Sequence, residues 1–129
     1  MKISERDRYN RRKMEEFYDE IVSRLQHQCE TELQQLNIEF YGENVKLHNQ
    51  IHQYMSKENV TEMKRRKEEI RWEFAWQVFD EVNQGLGLNN QFEVDLNGLV
   101  TEEALAICKQ VIYDLAKRAR EERESFQGN

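Results

Sequence analysis

The spacing of apolar side chains predicts a long first helix. From about Arg11 to Tyr41, apolar residues recur at steps of three and four, which is the period of a helix with one apolar face. Gly42 is placed to end this helix, because glycine readily takes the left-handed conformation that follows many helices. The apolar positions are Met14, Phe17, Tyr18, Ile21, Val22, Leu25, Cys29, Leu33, Leu36 and Phe40.

Two further helices are predicted in the first two thirds of the chain. Asn44 can cap a short helix to about Ser56, and Ser56 or Asn59 can cap a third helix to about Asn83. The first half of the third helix is charged, and its second half is apolar and aromatic. Because these aromatics fall on more than one side of the helix, we favour a core role over a platform on which bases stack. They are Trp72, Phe74, Trp76 and Phe79.

Near residue 92 the apolar period changes from that of a helix to that of a strand. Phe92, Val94 and Leu96 alternate with Glu93 and Asp95, which is the pattern of a half-buried strand. This is the only stretch of the sequence in which we find that alternation before a helix. A short strand is therefore predicted over residues 92–96.

A tight turn and a C-terminal helix follow the predicted strand. Asn97 and Gly98 form a dipeptide that favours positive φ, and Thr101 is a good N-cap. The helix is expected to run to about Arg123. Its predicted apolar face consists of Ala104, Leu105, Cys108, Val111, Ile112 and Leu115.

Together these elements predict a mainly α fold. It has a three-helix N-terminal part with a long first helix, then one short strand and a C-terminal helix packed back on the third helix. By segment, we expect a basic N-terminal arm at 1–13, a helical domain at 14–84, a linker at 85–91, a strand-turn-helix unit at 92–124 and a tail at 125–129.

The composition favours an intracellular protein made of helices with short connections. Charged residues make up 34% of the 129 residues, hydrophobic residues make up 38%, and proline is absent. No window approaches a membrane span and the first residues lack the apolar core of a signal peptide, so we expect a cytoplasmic or nuclear protein without membrane contact. Cys29 and Cys108 lack metal or redox spacing and are expected to be free thiols, and no cofactor is expected.

Two clusters of basic side chains raise the alternative of nucleic-acid binding. The net charge of −6 argues against binding by the whole surface, which depends on neutralising phosphates. Residues 1–13 nevertheless hold six basic against two acidic side chains, and a second basic cluster lies early in the third helix. We favour solvated helix surfaces for both. The candidate phosphate-binding residues are Arg8, Arg11, Arg12, Lys13, Lys64, Arg65, Arg66 and Lys67.

His48 and His52 have the spacing of two metal ligands on one helix face. Asn49 follows His48, where the zinc-protease motif has glutamate, and no third ligand is evident. We therefore expect no metal site.

The run from Val94 to Leu99, followed by Glu103-Ala104-Leu105, resembles the opening of an Smr domain. The first strand and helix of that family usually carry Asp-Leu-His-Gly-Leu and then Glu-Ala. Smr domains are often preceded by a small helical domain whose last helix ends in a pattern similar to Ile-Phe-x-x-x-Asn, and residues 78–83 occupy that place. The resemblance covers residues from about 20 to 115 and implies the start of an Smr-like βα unit.

Enzymatic Smr proteins are nucleases that act on RNA or nick DNA, and the resemblance raises that activity here. Two departures argue against it. The usual histidine is Asn97, which cannot shuttle a proton near neutral pH, and the second Smr motif, a Gly-x-Gly-x-x-Ser type loop, is not found in the sequence. We therefore expect no catalytic residues and no enzymatic activity, and for Asp95 we favour a turn or cap role. The degenerate motif consists of Asp95, Leu96, Asn97 and Gly98.

A lone strand cannot satisfy its own backbone groups. Phe92, Val94 and Leu96 are therefore predicted to pair with another copy or another protein, or to lie along the helices. If the strand pairs outside the chain, it is an assembly surface.

Two functions of different classes remain. One is a non-catalytic helical interaction module related to Smr-domain proteins, which assembles with a protein partner or as a homodimer through apolar helix faces and the unpaired strand. The alternative is an RNA- or DNA-associated factor of the Smr nuclease family that binds through the basic clusters. A third interpretation, a small helical bundle with an accidental resemblance, predicts coil or helix at residues 92–96.

Overall fold

The computed structural model describes residues 5–88 and 93–127 of the chain. Within them, the elements in chain order are α1 (Glu5–Tyr41), a 3-10 helix (Val45–Leu47), α2 (His48–Gln53), α3 (Lys57–Gly85) and α4 (Thr101–Gln127). The predicted mainly α architecture with a long first helix is confirmed. In this part of the chain, none of the helices is both long and apolar enough to cross a membrane.

Helices α1 and α3 form an antiparallel pair. Arg24 pairs with Glu81, and Arg66 pairs with Glu39 at 2.7 Å, so residue numbers rise along α1 as they fall along α3. The apolar stripe predicted for α1 meets the apolar second half of α3 beside the first of these ion pairs. The buried cluster there consists of Ile21, Leu25, Val78 and Val82.

Capping side chains set the ends of the elements that join α1 to α3. Gly42 follows α1 with a φ of 84°, as its predicted role requires. The Asn44 side chain accepts a hydrogen bond from the Lys46 amide at 3.1 Å and caps the 3-10 helix. The Ser56 side chain accepts from the Asn59 amide at 3.2 Å, so Ser56 rather than Asn59 caps α3.

Helix α4 packs on α3 around one fully buried residue. Ile107 has no exposed surface and lies in a cluster with Ala75 and Phe79 of α3. Trp72 and Trp76 are half-buried against the same cluster, in the core role favoured for these aromatics. Large aromatic side chains contribute strongly to a core of this size.

The predicted apolar face of α4 is corrected at two positions. Leu105 and Ile112, predicted to be buried, are 59% and 60% exposed, whereas Ile107 was not among the predicted positions. In a helix of 3.6 residues per turn, Ile112 lies about 140° around the axis from Ile107. Helix α3 covers the Ile107 side, so Ile112 stays in solvent.

The strand predicted over Phe92, Val94 and Leu96 is not confirmed. Phe92 lies outside the described residues, and residues 93–96 form no regular secondary structure. Leu96 packs against the cluster of Ile107, and Leu99 packs against both buried clusters. The segment therefore lies on the chain's own helices, as expected if a small helical bundle rather than a sheet forms here.

Several helix boundaries differ from the predicted ones. Helix α1 begins at Glu5, so residues 5–13 belong to it, because they contain no glycine or proline that would stop a helix. Helix α4 continues to Gln127, beyond the predicted end near Arg123. Thr101 is the first residue of α4 rather than its cap, and the Val100 amide donates to Glu103 at 3.2 Å.

Candidate functional site

The candidate site is the turn at residues 95–98, which one buried amide side chain holds to α3. Asn83 is 6% exposed and lies near the end of α3. Its Nδ2 donates to the carbonyl oxygens of Phe79 at 2.7 Å and of Asp95 at 2.9 Å. The Asp95 amide donates to Asn83 Oδ1 at 2.7 Å. Asn83 thus supplies the donor and the acceptor that a neighbouring strand would offer to Asp95.

The Asp95 carboxylate joins the turn to α1. Its Oδ2 accepts a hydrogen bond from the Tyr18 hydroxyl at 2.6 Å. Its Oδ1 accepts from the backbone amide and from Nδ2 of Asn97, both at 2.8 Å. A carboxylate that bonds the amide two residues later forms an Asx turn, which is the role favoured for Asp95 from the sequence.

These hydrogen bonds keep Asp95 ionised and Tyr18 protonated. Burial raises the pKa of the Asp95 carboxyl, but the donors of Tyr18 and Asn97 outweigh it and leave the pKa below its ordinary value. Burial, and then the nearby Asp95 carboxylate, raise the pKa of the Tyr18 hydroxyl. A carboxylate with a lowered pKa is a weak general base, so the arrangement suits a structural role.

Tyr18→Phe is expected to lower the free energy of unfolding by about 1 to 2 kcal/mol near neutral pH, because a hydrogen bond to a partly buried carboxylate is lost. Folding lowers the pKa of Asp95, so the carboxylate's stabilisation is present above about pH 4 and is lost as the pH falls through the folded pKa. Folding raises the pKa of Tyr18, so its contribution is present below about pH 10 and is lost at higher pH. Urea unfolding of wild type and Tyr18→Phe from about pH 3 to 7 measures how the stability difference changes as Asp95 is protonated.

Tyr54→Phe is the matched control for this series. Tyr54 is 89% exposed, so the loss of its hydroxyl should leave stability unchanged at every pH. An equal loss from Tyr18→Phe at both ends of the pH range would contradict the role assigned to the Asp95 carboxylate.

Gly98 lets the turn lie close to both α1 and α3. Its φ is 90°, and a Cβ atom at this position would lie 3.0 Å from Val22 Cγ2 and 3.2 Å from Val78 Cγ1. Positive φ and close approach both favour glycine. In the degenerate motif, therefore, Asp95 and Gly98 shape the turn, Leu96 packs on the core and Asn97 completes the hydrogen bonds of Asp95.

The two histidines of α2 fasten that helix to the end of α1. His48 Nε2 forms a hydrogen bond with the Gly42 carbonyl at 2.8 Å, and His52 Nδ1 pairs with the Tyr41 hydroxyl at 2.8 Å. Their rings lie 5.2 and 5.9 Å from the Tyr41 ring. Among residues 5–88 and 93–127, no three His, Cys, Asp or Glu side chains are grouped as metal ligands.

The two basic clusters do not come together. Arg65 pairs with Glu62 at 2.6 Å and also with Glu69, while Arg66 pairs with Glu39 of α1. Glu39, which marks the position of the second cluster along α1, lies at least 26 residues after the first cluster. That separation is roughly 40 Å along the helix. That first cluster is exposed near the start of α1 and contains Arg8, Arg11, Arg12 and Lys13. Lys64 is exposed in the second cluster and Lys67 is half-buried.

A set of exposed apolar side chains on α4, which we call the α4 stripe, is the largest departure from the predicted core. Leu105 and Ile112 are more than half exposed, and two alanines further along the helix continue the same side. Large exposed apolar patches on a protein surface often mark interaction sites. The stripe consists of Leu105, Ile112, Ala116 and Ala119.

Sequence reasoning missed two residues that organise this region, Asn83 and Ile107. A single amide within the apolar end of α3, at the last position of the Ile-Phe-x-x-x-Asn pattern, is the signal that could have identified Asn83. Ile107 lies about 40° beyond Val111, just outside the arc of the predicted α4 positions, so a helical face extended toward that side would have included it.

No protein family model, no curated protein and no solved structure matches this chain. Its function is therefore inferred from its own residues.

Proposed function

We propose that this chain is a non-catalytic helical interaction module, related to Smr-domain proteins, that binds a protein surface through α4. The observation that carries the proposal is the α4 stripe, in which Leu105 and Ile112 stand 59% and 60% exposed while Ile107 on the same helix is fully buried. The free energy of binding becomes more favourable when a partner removes aliphatic side chains from water. Several of them in one row form a docking surface.

The relation to Smr-domain proteins rests on the residues of the turn and of α4. The order of an Asp95-to-Gly98 turn followed by a helix resembles the opening of that family. A helix that packs on a sheet carries a wide apolar face, and α3 covers only the Ile107 edge of α4. This origin would account for the uncovered stripe.

A non-catalytic role has support from the contacts of Asp95. Its carboxylate accepts bonds from Tyr18 and Asn97, and its backbone groups pair with Asn83. Each of these bonds holds the turn to a helix. Asn97 also lacks the ionisable ring with which histidine transfers protons.

Assembly through an unpaired strand has less support than assembly through α4. The donor and acceptor of Asp95 are already satisfied by Asn83, so this residue offers no free edge to a second strand. Val94 is 37% exposed, less than either Leu105 or Ile112. The proposal therefore places the binding surface on α4.

A photo-reactive amino acid at position 112 tests the proposal in cells that express the full chain. We expect light to produce covalent adducts with protein from position 112 and few from position 110. Gln110 is the matched control because it is exposed on the same helix, about 160° around the axis from Ile112. Adducts of equal yield from both positions, or from neither, would sink the proposal.

The nucleic-acid alternative makes a different prediction, which depends on salt. Binding through the four basic residues at 8–13 should give a slope of log affinity against log salt of about −3 for a single strand. Two observations weaken this alternative. The two basic clusters are far apart, and Arg65 and Arg66 already form ion pairs with glutamates. No retention of single-stranded RNA by the full chain at about 20 mM salt would exclude it.

A further inference from the structure

We propose that the partner of the α4 stripe is a second copy of this chain, docked with the two α4 helices antiparallel. The inference rests on the proposed function, because it names the occupant of the same helix face. It is carried by the positions of apolar and charged side chains along α4.

The stripe has the spacing of a helix-pairing seam. Leu105, Ile112 and Ala119 are seven residues apart, and side chains at that spacing stay on one side of two paired helices. Ile112 lies about 100° around the axis from Val111, which packs against α3. A second helix can therefore lie against the stripe while α3 keeps its own contacts.

Charges beside the stripe change sign along α4. Glu102 lies at the beginning of α4. Lys109 follows seven residues after Glu102, and Arg123 follows fourteen residues after Lys109. These three residues share one heptad row with Ala116, next to the row of Leu105, Ile112 and Ala119, and all three are exposed. In a parallel second copy, residues of the same number would lie level with one another, so Glu102 could not pair with Arg123 of the partner copy.

An antiparallel second copy places opposite charges together. With the two-fold axis near Ile112, Glu102 stands ten residues before the axis and Arg123 stands eleven after it, so each lies level with the other in the partner copy. Leu105 and Ala119 are each seven residues from Ile112, so a large side chain faces a small one. The surface is thus complementary to itself, as a two-fold interface requires.

The predicted interface is small. From Glu102 to Arg123 the helix is roughly 32 Å long, and α4 alone offers less than the 800 Å² or so per partner of a standard interface. We therefore expect a reversible dimer with a dissociation constant in the micromolar range. Its population should change with concentration in an accessible range.

Sedimentation of the full chain from about 1 μM to 1 mM tests the inference on wild type, Ile112→Glu and Gln110→Glu. Wild type should pass from monomer to dimer, and Ile112→Glu should raise the dissociation constant by at least about 30-fold. Gln110→Glu should change it by less than about threefold. Gln110 is the matched control because it is exposed on the same helix but lies about 160° around the axis from Ile112.

A charge exchange tests the antiparallel direction. Glu102→Lys and Arg123→Glu should each weaken self-association a few-fold, because each places like charges at both ends of the dimer. A mixture of the two variants should associate more tightly than either one alone, since opposite charges then meet at both ends. No such gain on mixing would overturn the antiparallel arrangement.

The outcomes separate this inference from the proposed function. Wild type that stays monomeric to about 1 mM, or equal effects of Ile112→Glu and Gln110→Glu, would overturn self-association through the stripe. If position 112 then gives adducts with a different protein, the interaction module stands with another partner. If position 112 gives no adducts either, both are wrong. Circular dichroism should find both glutamate variants folded, because both positions are exposed.

Discussion

Asn83→Ala is expected to lower the free energy of unfolding by about 3 kcal/mol. The change removes three hydrogen bonds, to Phe79 and to both backbone groups of Asp95, each worth about 1 kcal/mol when formed by a buried side chain. It also leaves the amide and carbonyl of Asp95 without those partners. Urea unfolding at neutral pH measures the loss, and hydrogen exchange of the Asp95 amide should accelerate.

Asn37→Ala is the matched control for Asn83→Ala. Asn37 is half-buried on α1, and its Oδ1 is buried without a hydrogen-bond partner among the described residues. Alanine is the better helix former, so this change should alter stability by less than about 0.5 kcal/mol or increase it. If the two substitutions cost the same, Asn83 does not anchor the turn.

The helices could be predicted because their signals are local. The apolar spacing of α1, the glycine after it and the cap at Ser56 all lie within a few residues of the structure that they determine. Such signals act through neighbouring turns of one helix and need no knowledge of what the helix packs against. The mainly α fold follows from them.

The turn at Asp95 could not be predicted in this way, because its partners are distant in sequence. Tyr18 is 77 residues away from Asp95, and Asn83 is 12 residues away. Of the alternating apolar residues that the structure describes, Leu96 packs on the core whereas Val94 is 37% exposed, and the alternation could not predict what pairs with the backbone. At Asp95 a side chain of α3 forms those hydrogen bonds, so the alternation did not require a sheet.

The extent of the α4 face was also beyond prediction from its own sequence. Apolar residues cover more than one side of this helix, and only the position of α3 decides that Ile107 is buried while Leu105 is exposed. That position depends on Leu99, which packs against both buried clusters just before α4 begins. The exposed stripe on which the proposed function depends is therefore a consequence of tertiary packing.

Gly98→Ala should also be severely destabilising, by about 2 to 5 kcal/mol. A φ of 90° costs a residue with a Cβ atom about 1 to 2 kcal/mol, and overpacking in a core costs about 1 to 3 kcal/mol more. The new methyl group would meet Val22 and Val78 at 3.0 and 3.2 Å, tighter than ordinary van der Waals contact. Urea unfolding of both proteins measures the sum of the two effects.

Gly87→Ala isolates the backbone effect. Gly87 has a φ of 71°, but a Cβ atom there would meet nothing within 4 Å. We expect this substitution to cost about 1 to 2 kcal/mol, so the excess cost at Gly98 is the cost of close approach. Equal losses from the two alanine variants would mean that the turn can move away from the helices.

A double-mutant cycle with Val22→Ala assigns the excess to a particular contact. Val22 is half-buried, and its Cγ2 is the atom nearest to the added methyl group, so shortening this side chain should relieve part of the clash. The double variant should then be more stable than the sum of the single losses predicts, by about 1 kcal/mol. Additive losses would show that Val22 moves aside freely. In that case the need for glycine at position 98 would come from its backbone conformation and from Val78 alone.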